Sequence, residues 1–308
     1  MKKSLQIKKL HQLAGHNAAV FALGNGSSGH FLSGAGDGWL VQWTIDEPDP
    51  GRLLAKVDSN VFALCWLGGA PQDDRLVVGN MYGGVHWVNL QNPDQTKNIL
   101  HHRKGVFAVR HINDHIYTIG GDGVLSKWSI PEQRAVESYA LSNQSLRALD
   151  YSATRNEIAV GSSDQGIYLL DADNLQLKQH LAKAHNNSVF ALRYHPNGRY
   201  LVSGGRDALL NVWDVEKQLS LVSSQAAHMY TINDVAFHPK RPIFATASRD
   251  RTIKFWDADS FDLLKVVETL RDNGHVASVN TLLWTPEEVL ISGSDDRSIG
   301  MWAVDLLT

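Results

Sequence analysis

A short pattern recurs along the whole chain and constrains its fold more than any other feature. In SGAGDGWLVQW, which begins at Ser33, a Ser or Thr lies four residues before an Asp, and a Trp lies six residues after it. The pattern returns in TIGGDGVLSKW, SGGRDALLNVW, TASRDRTIKFW and SGSDDRSIGMW. Two degenerate copies fill the gaps, with Met81 at the Asp position of one and Leu170 at the Trp position of the other. Seven copies with a period of about 40–45 residues predict a repeat architecture.

A histidine precedes each complete copy, four residues before a Val or Ile. The degenerate copies hold Val57 and Ser142 there, and they also hold Val77 and Val160 in place of the hydroxyl residue. Because the histidine and the hydroxyl are lost together, we expect them to hydrogen-bond each other. The five complete sets are His16–Ser33–Asp37–Trp43, His102–Thr118–Asp122–Trp128, His185–Ser203–Asp207–Trp213, His228–Thr246–Asp250–Trp256 and His275–Ser292–Asp296–Trp302.

Each copy also contains four short apolar runs separated by Gly, Asp or Pro-Asn-Gly. In the fifth copy these runs are VFALRYH, YLVSG, LLNVWD and LSLVS. Short runs rich in β-branched and aromatic residues between turn signals are typical of antiparallel strands. The sequence therefore predicts an all-β, seven-bladed β-propeller with four antiparallel strands per blade.

The five complete sets, at fixed spacings, make the chain similar to the WD-repeat β-propeller family over essentially its full length. The resemblance implies one domain, residues 1–308, in which the Trp, Ser/Thr, His and Asp of each set form a buried hydrogen-bond chain. Only six residues follow Trp302, too few for a fourth strand. The resemblance therefore implies that a strand at residues 4–13 completes the last blade, about residues 275–306, and closes the ring.

Composition narrows the classes of function. The net charge of −3 gives no reason to expect nucleic acid as a partner. The single cysteine, Cys65, fits a reducing compartment, and neither the first residues, MKKSLQIKKLHQL, nor any later run resembles a signal peptide or a membrane span. We expect a cytoplasmic protein without membrane contacts, monomeric outside its complex.

The Ser, His and Asp of each set could also indicate a hydrolase triad. Five identical active sites in one ring would be unusual, and the chain has no G-x-S-x-G elbow. The remaining histidines lack the spacing of a metal site, and the glycine-rich segments lead into strands rather than helices. We therefore expect that the protein is not an enzyme, and that it has no catalytic residues, no metal and no cofactor.

The resemblance implies that partners dock on the top face, around the central channel. The position after the first inner-strand residue holds Phe21, Phe62, Phe107, Arg147, Phe190, Asn233 and Asn280. The position before the turn Asp holds Gly36, Asn80, Gly121, Ser163, Arg206, Arg249 and Asp295. We hypothesise a partner site in which an aromatic half, Phe21, Phe62, Phe107 and Phe190, faces a basic half, Arg147, Arg206 and Arg249. Aromatic residues and Arg are enriched in interface hot spots.

Other interpretations remain open from the sequence. The phenylalanines could pack between blades, and the arginines could be solvated or pair with Asp250, Asp295 or Asp296. The leading hypothesis is a non-enzymatic module that binds a protein or peptide. The alternatives are a small-molecule-binding or enzymatic propeller that uses the channel mouth, and a reader of phospho-ligands or nucleic acid that uses the three arginines.

Overall fold

The chain folds into seven four-stranded antiparallel sheets in the computed structural model, which describes residues 4–68 and 74–307. The inner strands of the sheets contact one another in cyclic order, and the first contacts the last, so the seven sheets form a closed ring of blades. The prediction of a seven-bladed β-propeller with four antiparallel strands per blade is confirmed.

The first four blades follow the chain from the inner strand outward. Blade one contains β2 (Val20–Asn25), β3 (His30–Ala35), β4 (Trp39–Thr44) and β5 (Arg52–Lys56). Blade two contains β6 (Val61–Trp66), β7 (Arg75–Asn80), β8 (Gly84–Asn89) and β9 (Lys97–Leu100). Blade three contains β10 (Val106–Ile112), β11 (His115–Gly120), β12 (Val124–Ser129) and β13 (Arg134–Ala140). Blade four contains β14 (Leu146–Ser152), β15 (Glu157–Ser162), β16 (Ile167–Asp171) and β17 (Leu177–Leu181).

Blades five and six have the same order, and blade seven takes its outer strand from the start of the chain. Blade five contains β18 (Val189–Tyr194), β19 (Tyr200–Gly205), β20 (Leu209–Asp214) and β21 (Ser220–Ala226). Blade six contains β22 (Ile232–Phe237), β23 (Ile243–Ser248), β24 (Ile253–Asp257) and β25 (Leu263–Val267). Blade seven contains β26 (Val279–Trp284), β27 (Leu290–Ser294), β28 (Ile299–Leu307) and β1 (Ser4–Leu13). The short helices are α1 (Thr269–Asp272) and two 3₁₀ turns, Pro93–Gln95 and Val215–Lys217.

Strand β1 closes the ring. It pairs antiparallel with β28, from Ser4 opposite Leu307 to Leu13 opposite Ile299, with a bulge between Lys9 and the second residue after it. The predicted closure by residues 4–13 is confirmed. Pairing this edge matters because a free strand edge in blade seven would expose unpaired backbone N–H and C=O groups.

The hydrophobic core lies between adjacent blades rather than at the centre of the ring. Trp43 packs with residues of blades seven and one, whereas Trp302 packs with residues of blades six and seven. Both faces of each sheet are therefore covered, which explains why strict apolar–polar alternation is blurred in the sequence. No helix in the described part of the chain is long and apolar enough to span a membrane.

In blade two, the residue that takes the position of the Trp of the other sets lies one place later in the chain than the sequence pattern predicted. Strand β6 begins opposite Asn80, the last residue of β7, just as β2 begins opposite Ala35. Counted from these pairs, Val88 takes the place of Trp43. The assignment of Trp87 to this position is therefore wrong.

A shift of one residue moves a side chain to the other face of a sheet. Trp87 accordingly packs towards blade three, with its ring centroid 6.4 Å from that of Trp128, and its indole N–H has no acceptor among the described residues. The same shift puts Tyr82, not Met81, at the position of the turn Asp. Asn80, predicted on the top face, is instead buried, and its Oδ1 accepts the backbone N–H of Tyr82 at 3.0 Å.

Candidate functional site on the top face

The structure brings the four side chains of each predicted set together. The indole Nε1–H of the Trp donates to the Ser or Thr hydroxyl at 2.8–2.9 Å. The hydroxyl oxygen lies 2.7–2.8 Å from the imidazole Nε2. The imidazole Nδ1 lies 2.9–3.3 Å from the turn carboxylate. Each set therefore links the second strand, the third strand and two loops of its blade.

The direction of the hydrogen bonds fixes the protonation of the histidine. The hydroxyl oxygen accepts the indole N–H, so its own proton is donated to Nε2, which must carry a lone pair. The proton of the ring then lies on Nδ1 and is donated to the carboxylate. The neutral imidazole satisfies every polar atom of the set, whereas the imidazolium would leave the hydroxyl proton without its acceptor.

The same geometry decides against the hydrolase interpretation. The Ser203 side chain is fully buried, and its oxygen contacts both Trp213 and His185. A nucleophile must be accessible to substrate beside an oxyanion-binding site. This hydroxyl is enclosed by its own blade, so its role is structural.

We expect the free energy of unfolding to fall as the pH drops below about 6.5. Burial lowers the pKa of His16, His102 and His228, and the attraction of the neighbouring carboxylates does not reverse this shift. The unfolded chain therefore binds protons that the folded chain does not, and stability that is complete above the unfolded pKa is lost below it. Each such histidine contributes a loss of up to about 1.4 kcal/mol per pH unit.

Urea unfolding at pH 7.5 and 5.5, at constant ionic strength, measures this effect. The carboxylates of Asp122, Asp207, Asp250 and Asp296 act in a separate window: burial opposes the shift, but hydrogen bonds from their histidines and from backbone N–H groups hold their pKa values below the usual range. Their contribution is present above pH of about 4 and is lost only below it. An unfolding free energy at pH 5.5 that equals or exceeds the value at pH 7.5 would contradict the neutral-histidine assignment.

Blade four replaces the missing histidine with a different network. The Ser142 hydroxyl donates to the Asp164 carboxylate at 2.5 Å, and the Tyr168 hydroxyl donates to the same oxygen at 2.6 Å. These bonds, with burial opposing them, lower the pKa of Asp164. Blade four thus keeps its turn carboxylate without the complete set.

The predicted aromatic residues meet at the top of the central channel. The ring centroids of Phe21 and Phe62 are 5.2 Å apart, edge to face, and those of Phe62 and Phe107 are 5.5 Å apart and stacked. The guanidinium carbon of Arg147 lies 4.1 Å from the Phe107 ring centroid and 5.1 Å from that of Phe190. These five residues, which we call the aromatic arc, form a continuous line along five blades, and all are half-buried.

The arc combines the two interpretations that the sequence left open. Its rings pack against their neighbours in adjacent blades, yet each keeps part of its surface exposed. Small residues keep the ring edges open, because a Cβ atom added at Gly121 would approach Phe107 to 3.0 Å. The surface is therefore both apolar and fixed in position.

The predicted division into an aromatic and a basic half is wrong for Arg147. Its side chain inserts between two phenylalanines, and its Nε donates to Ser163 Oγ at 3.3 Å. Burial, and to a smaller extent the charge of Arg206, lower the pKa of Arg147. Arg147 therefore belongs to the arc, where cation–π contacts hold it.

Arg206 and Arg249 are exposed at the turns of blades five and six. Arg251 and Arg297, which the sequence hypothesis did not include, are exposed in the same kind of turn. We call these four residues the basic rim. Across residues 4–68 and 74–307, the guanidinium groups of the basic rim form no salt bridge. The carboxylates that the sequence suggested as partners of these arginines bind other groups. Those of Asp250 and Asp296 bind histidines, and that of Asp295 accepts a hydrogen bond from Asn280.

Sequence reasoning also missed several exposed apolar side chains on the top face. Met81 and Tyr82 are 46% and 65% exposed in the turn of blade two, next to the arc. Met229, which is 81% exposed, Tyr230 and Val276 lie in the loops that enter blades six and seven. The first pair was hidden by the register shift. Met229 and Val276 directly follow His228 and His275, and Tyr230 is one residue further on; these positions could have been compared between copies.

Comparison with known proteins supports the fold and the family. A model of the family described as "WD domain, G-beta repeat" matches residues 7–44, 176–214, 219–257 and 264–303. The crystal structure of the WD40 beta propeller domain of Doa1 superposes with a TM-score of 0.83 at 17% identity, covering 97% of both chains. At this identity the likeness shows the fold alone.

Curated relatives match shorter segments. The chain is 31% identical over 111 residues to "Periodic tryptophan protein 2 homolog" from Mus musculus, a match covering 35% of the chain and 12% of that protein. It is 28% identical over 179 residues to "Protein groucho" from Drosophila melanogaster, covering 56% of the chain and 24% of that protein. The matched segments thus span a quarter or less of these relatives. With matched repeats across half of its length and a seven-bladed fold, the chain belongs to the WD-repeat family.

Proposed function

We propose that this protein is a non-enzymatic, cytoplasmic interaction module that binds a protein or peptide on the top face of the propeller. WD-repeat propellers commonly serve as protein-interaction scaffolds. The observation that carries the proposal is the aromatic arc, a fixed line of half-exposed rings at the channel mouth. Beside it lies the basic rim, whose arginines form no salt bridge with any described residue.

The arc has the properties of an anchor site. Rings that are already held by their neighbours lose little conformational freedom when a partner binds, so more of the contact energy appears as affinity. Interface hot spots are rich in aromatic residues and Arg. Met81 and Tyr82 extend the apolar surface beyond the rings of the arc.

The basic rim supplies a complementary charge. Arg251 and Arg297 have φ angles of 72° and 70°, where blades one and three use Gly38 and Gly123. A left-handed backbone costs a non-glycine residue about 1–2 kcal/mol. Blades four and five also place non-glycine residues, Gln165 and Ala208, at this turn position. In blades six and seven the residue there presents a guanidinium on the top face.

These features fit one kind of partner. An extended segment with an apolar side chain next to a carboxylate or phosphate would place the apolar group on the arc and the acid on the rim. Guanidinium groups bind such acids through two parallel hydrogen bonds. The net charge of the whole chain is negative and would not attract an acidic segment. A preference for such a segment therefore comes from the positive charge of this face alone.

We expect Arg206→Glu combined with Arg249→Glu to abolish capture of the partner from native lysate. The two substitutions place acids where the partner's acid must bind, so attraction becomes repulsion. Hot-spot truncations typically cost about 2–4 kcal/mol of binding, and a reversed charge costs at least as much. The measurement is affinity capture on immobilised protein, with captured proteins compared by mass spectrometry.

The matched control reverses two charges on the same blades at the opposite end of the ring. Lys217 follows β20 and Lys240 lies in the β22–β23 turn; both are exposed, and Lys217→Glu with Lys240→Glu changes the net charge equally. The control should capture the same proteins as the wild type. If the Arg variant does so as well while folded, the basic rim is not part of the binding surface.

A further inference from the structure

The channel wall below the aromatic arc carries a second set of polar side chains. Four of them, Cys65, Arg110, Asp150 and Arg193 in blades two to five, lie three residues further along the inner strands, about 10 Å deeper. The fifth, Asp234 in blade six, directly follows Asn233. The channel has a volume of about 570 Å³. This volume is within the range of about 300–1,000 Å³ found for small-molecule sites.

The carboxylates of this set are already used in joining blades. Asp234 Oδ1 accepts from Arg193 Nη2 at 3.0 Å, and its Oδ2 accepts from the backbone N–H of Leu282 in blade seven at 2.9 Å. Asp150 Oδ2 accepts from the backbone N–H of Tyr194 in blade five at 2.7 Å. These bonds connect the inner strands of blades four to seven.

Arg110 takes no part in these hydrogen bonds between blades. Among the described residues its guanidinium forms one long hydrogen bond, from Nη1 to the Val109 carbonyl at 3.5 Å, and no salt bridge. Burial, and then the charge of Arg193, lower the pKa of Arg110. A guanidinium has five N–H donors and stays charged in proteins. The charges of Asp150 and Asp234 attract it from beyond salt-bridge distance, but most of its buried N–H donors lack an acceptor among the described residues, which is costly.

The charges that face the channel are unbalanced. Three arginines, Arg110, Arg147 and Arg193, line it, and of the nearby carboxylates that of Asp234 is occupied by Arg193. Asp150 adds a second carboxylate beside Arg110, but burial raises its pKa, and it forms no salt bridge with Arg110 among the described residues. The channel therefore presents positive potential and free donors to its contents.

We propose that the channel binds a small oxyanion, a carboxylate or phosphate group, on the guanidinium of Arg110. The planar guanidinium matches these groups with two parallel N–H···O bonds. The positive charges of Arg147, which lies above Arg110, and of Arg193 also attract the anion. This site lies below the top-face partner surface in the same channel and shares Arg147 with it, but anion binding on Arg110 requires no partner on the top face.

The only cysteine of the chain provides a reporter, because Cys65 lines the same channel and interacts with the charge of Arg110. The probes are inorganic phosphate and citrate, with sodium chloride at matched ionic strength as the reference. We expect one or both probes to slow alkylation of Cys65 by iodoacetamide and to give a binding isotherm by calorimetry. The probe that binds identifies the preferred oxyanion.

Arg110→Met should weaken this binding at least about tenfold and remove the protection of Cys65. The matched control is Arg134→Met, an exposed arginine on the outer strand of the same blade. Arg110→Lys keeps the charge but loses the pair of parallel N–H donors, so this variant should bind the probes more weakly than the wild type does. It replaces the Met variant in the test if that variant does not fold. Neither variant should change partner capture by the top face.

Two results would overturn the proposal. One is wild-type protein that shows neither a calorimetric signal nor slower Cys65 alkylation with either probe up to about 10 mM, far above the range of a specific site. The other is a folded Arg110→Met variant that binds the probes as the wild type does, which would leave Arg110 a purely structural residue.

Discussion

Deleting residues 1–13 should produce a protein that self-associates more than the full chain and unfolds with much lower stability. The deletion removes β1, so blade seven would end at the unpaired edge of β28. An exposed strand edge is a template for pairing with another chain.

The side chains of β1 explain why the loss should be large. Leu5 is buried with Trp302 between blades six and seven, and Leu13 is buried with Val20 between blades seven and one. Each buried leucine contributes about 1.5–3 kcal/mol, and the whole backbone ladder with β28 is lost as well. Together these losses are a large part of the about 5–15 kcal/mol that stabilises a typical protein.

Size-exclusion chromatography with light scattering and urea unfolding measure the two effects. A protein lacking only residues 1–3 is the control, since it keeps β1 whole. It should behave as the full chain does. A protein lacking residues 1–13 that stays monomeric, with the same unfolding midpoint as the control, would refute closure of the ring by β1.

The repeat made the architecture predictable from the sequence, because each copy marks the same turn, strand and loop. The spacing of His16, Ser33, Asp37 and Trp43 reports a hydrogen-bond chain that joins the second and third strands of the blade to two of its loops. Where the chain lacks those groups the signal fails. In blade two the alignment rested on Trp87 alone, and an isolated Trp does not distinguish one face of a strand from the other.

The site was less predictable for a different reason. The repeat identifies which positions face the channel but not how long side chains orient there. Arg147 was expected to join Arg206 and Arg249, yet it lies between Phe107 and Phe190, because its stem and charged plane are both stabilised by the rings. The charged wall below the arc was missed because its position holds a different residue type in most copies and a charged residue in only some of them.

Replacing two rings of the arc should have the largest effect on function. We expect Phe62→Ser with Phe107→Ser to abolish partner capture while the propeller remains folded. These rings lie at the centre of the arc and contact each other at 5.5 Å, so their loss removes both the anchor surface and the support of Arg147. Truncation of a hot-spot aromatic costs on the order of 2–4 kcal/mol of binding free energy. Most transient complexes could not lose this amount twice and still be captured.

Stability has to be separated from binding in this variant. Both rings also pack between blades, so some loss of stability is expected. The matched control is Leu221→Ser with Leu263→Ser, two half-exposed leucines on the outer strands of blades five and six. Circular dichroism and the unfolding midpoint define which variants are folded at the temperature of capture.

The most direct test of the top-face assignment is therefore affinity capture from native lysate by three immobilised proteins: wild type, the folded Phe62→Ser, Phe107→Ser variant and the folded Leu221→Ser, Leu263→Ser control. We predict that the wild type and the leucine control retain the same partner, and that the phenylalanine variant does not. Capture of that partner by the folded phenylalanine variant at wild-type level would contradict the assignment and exclude the aromatic arc as the binding surface.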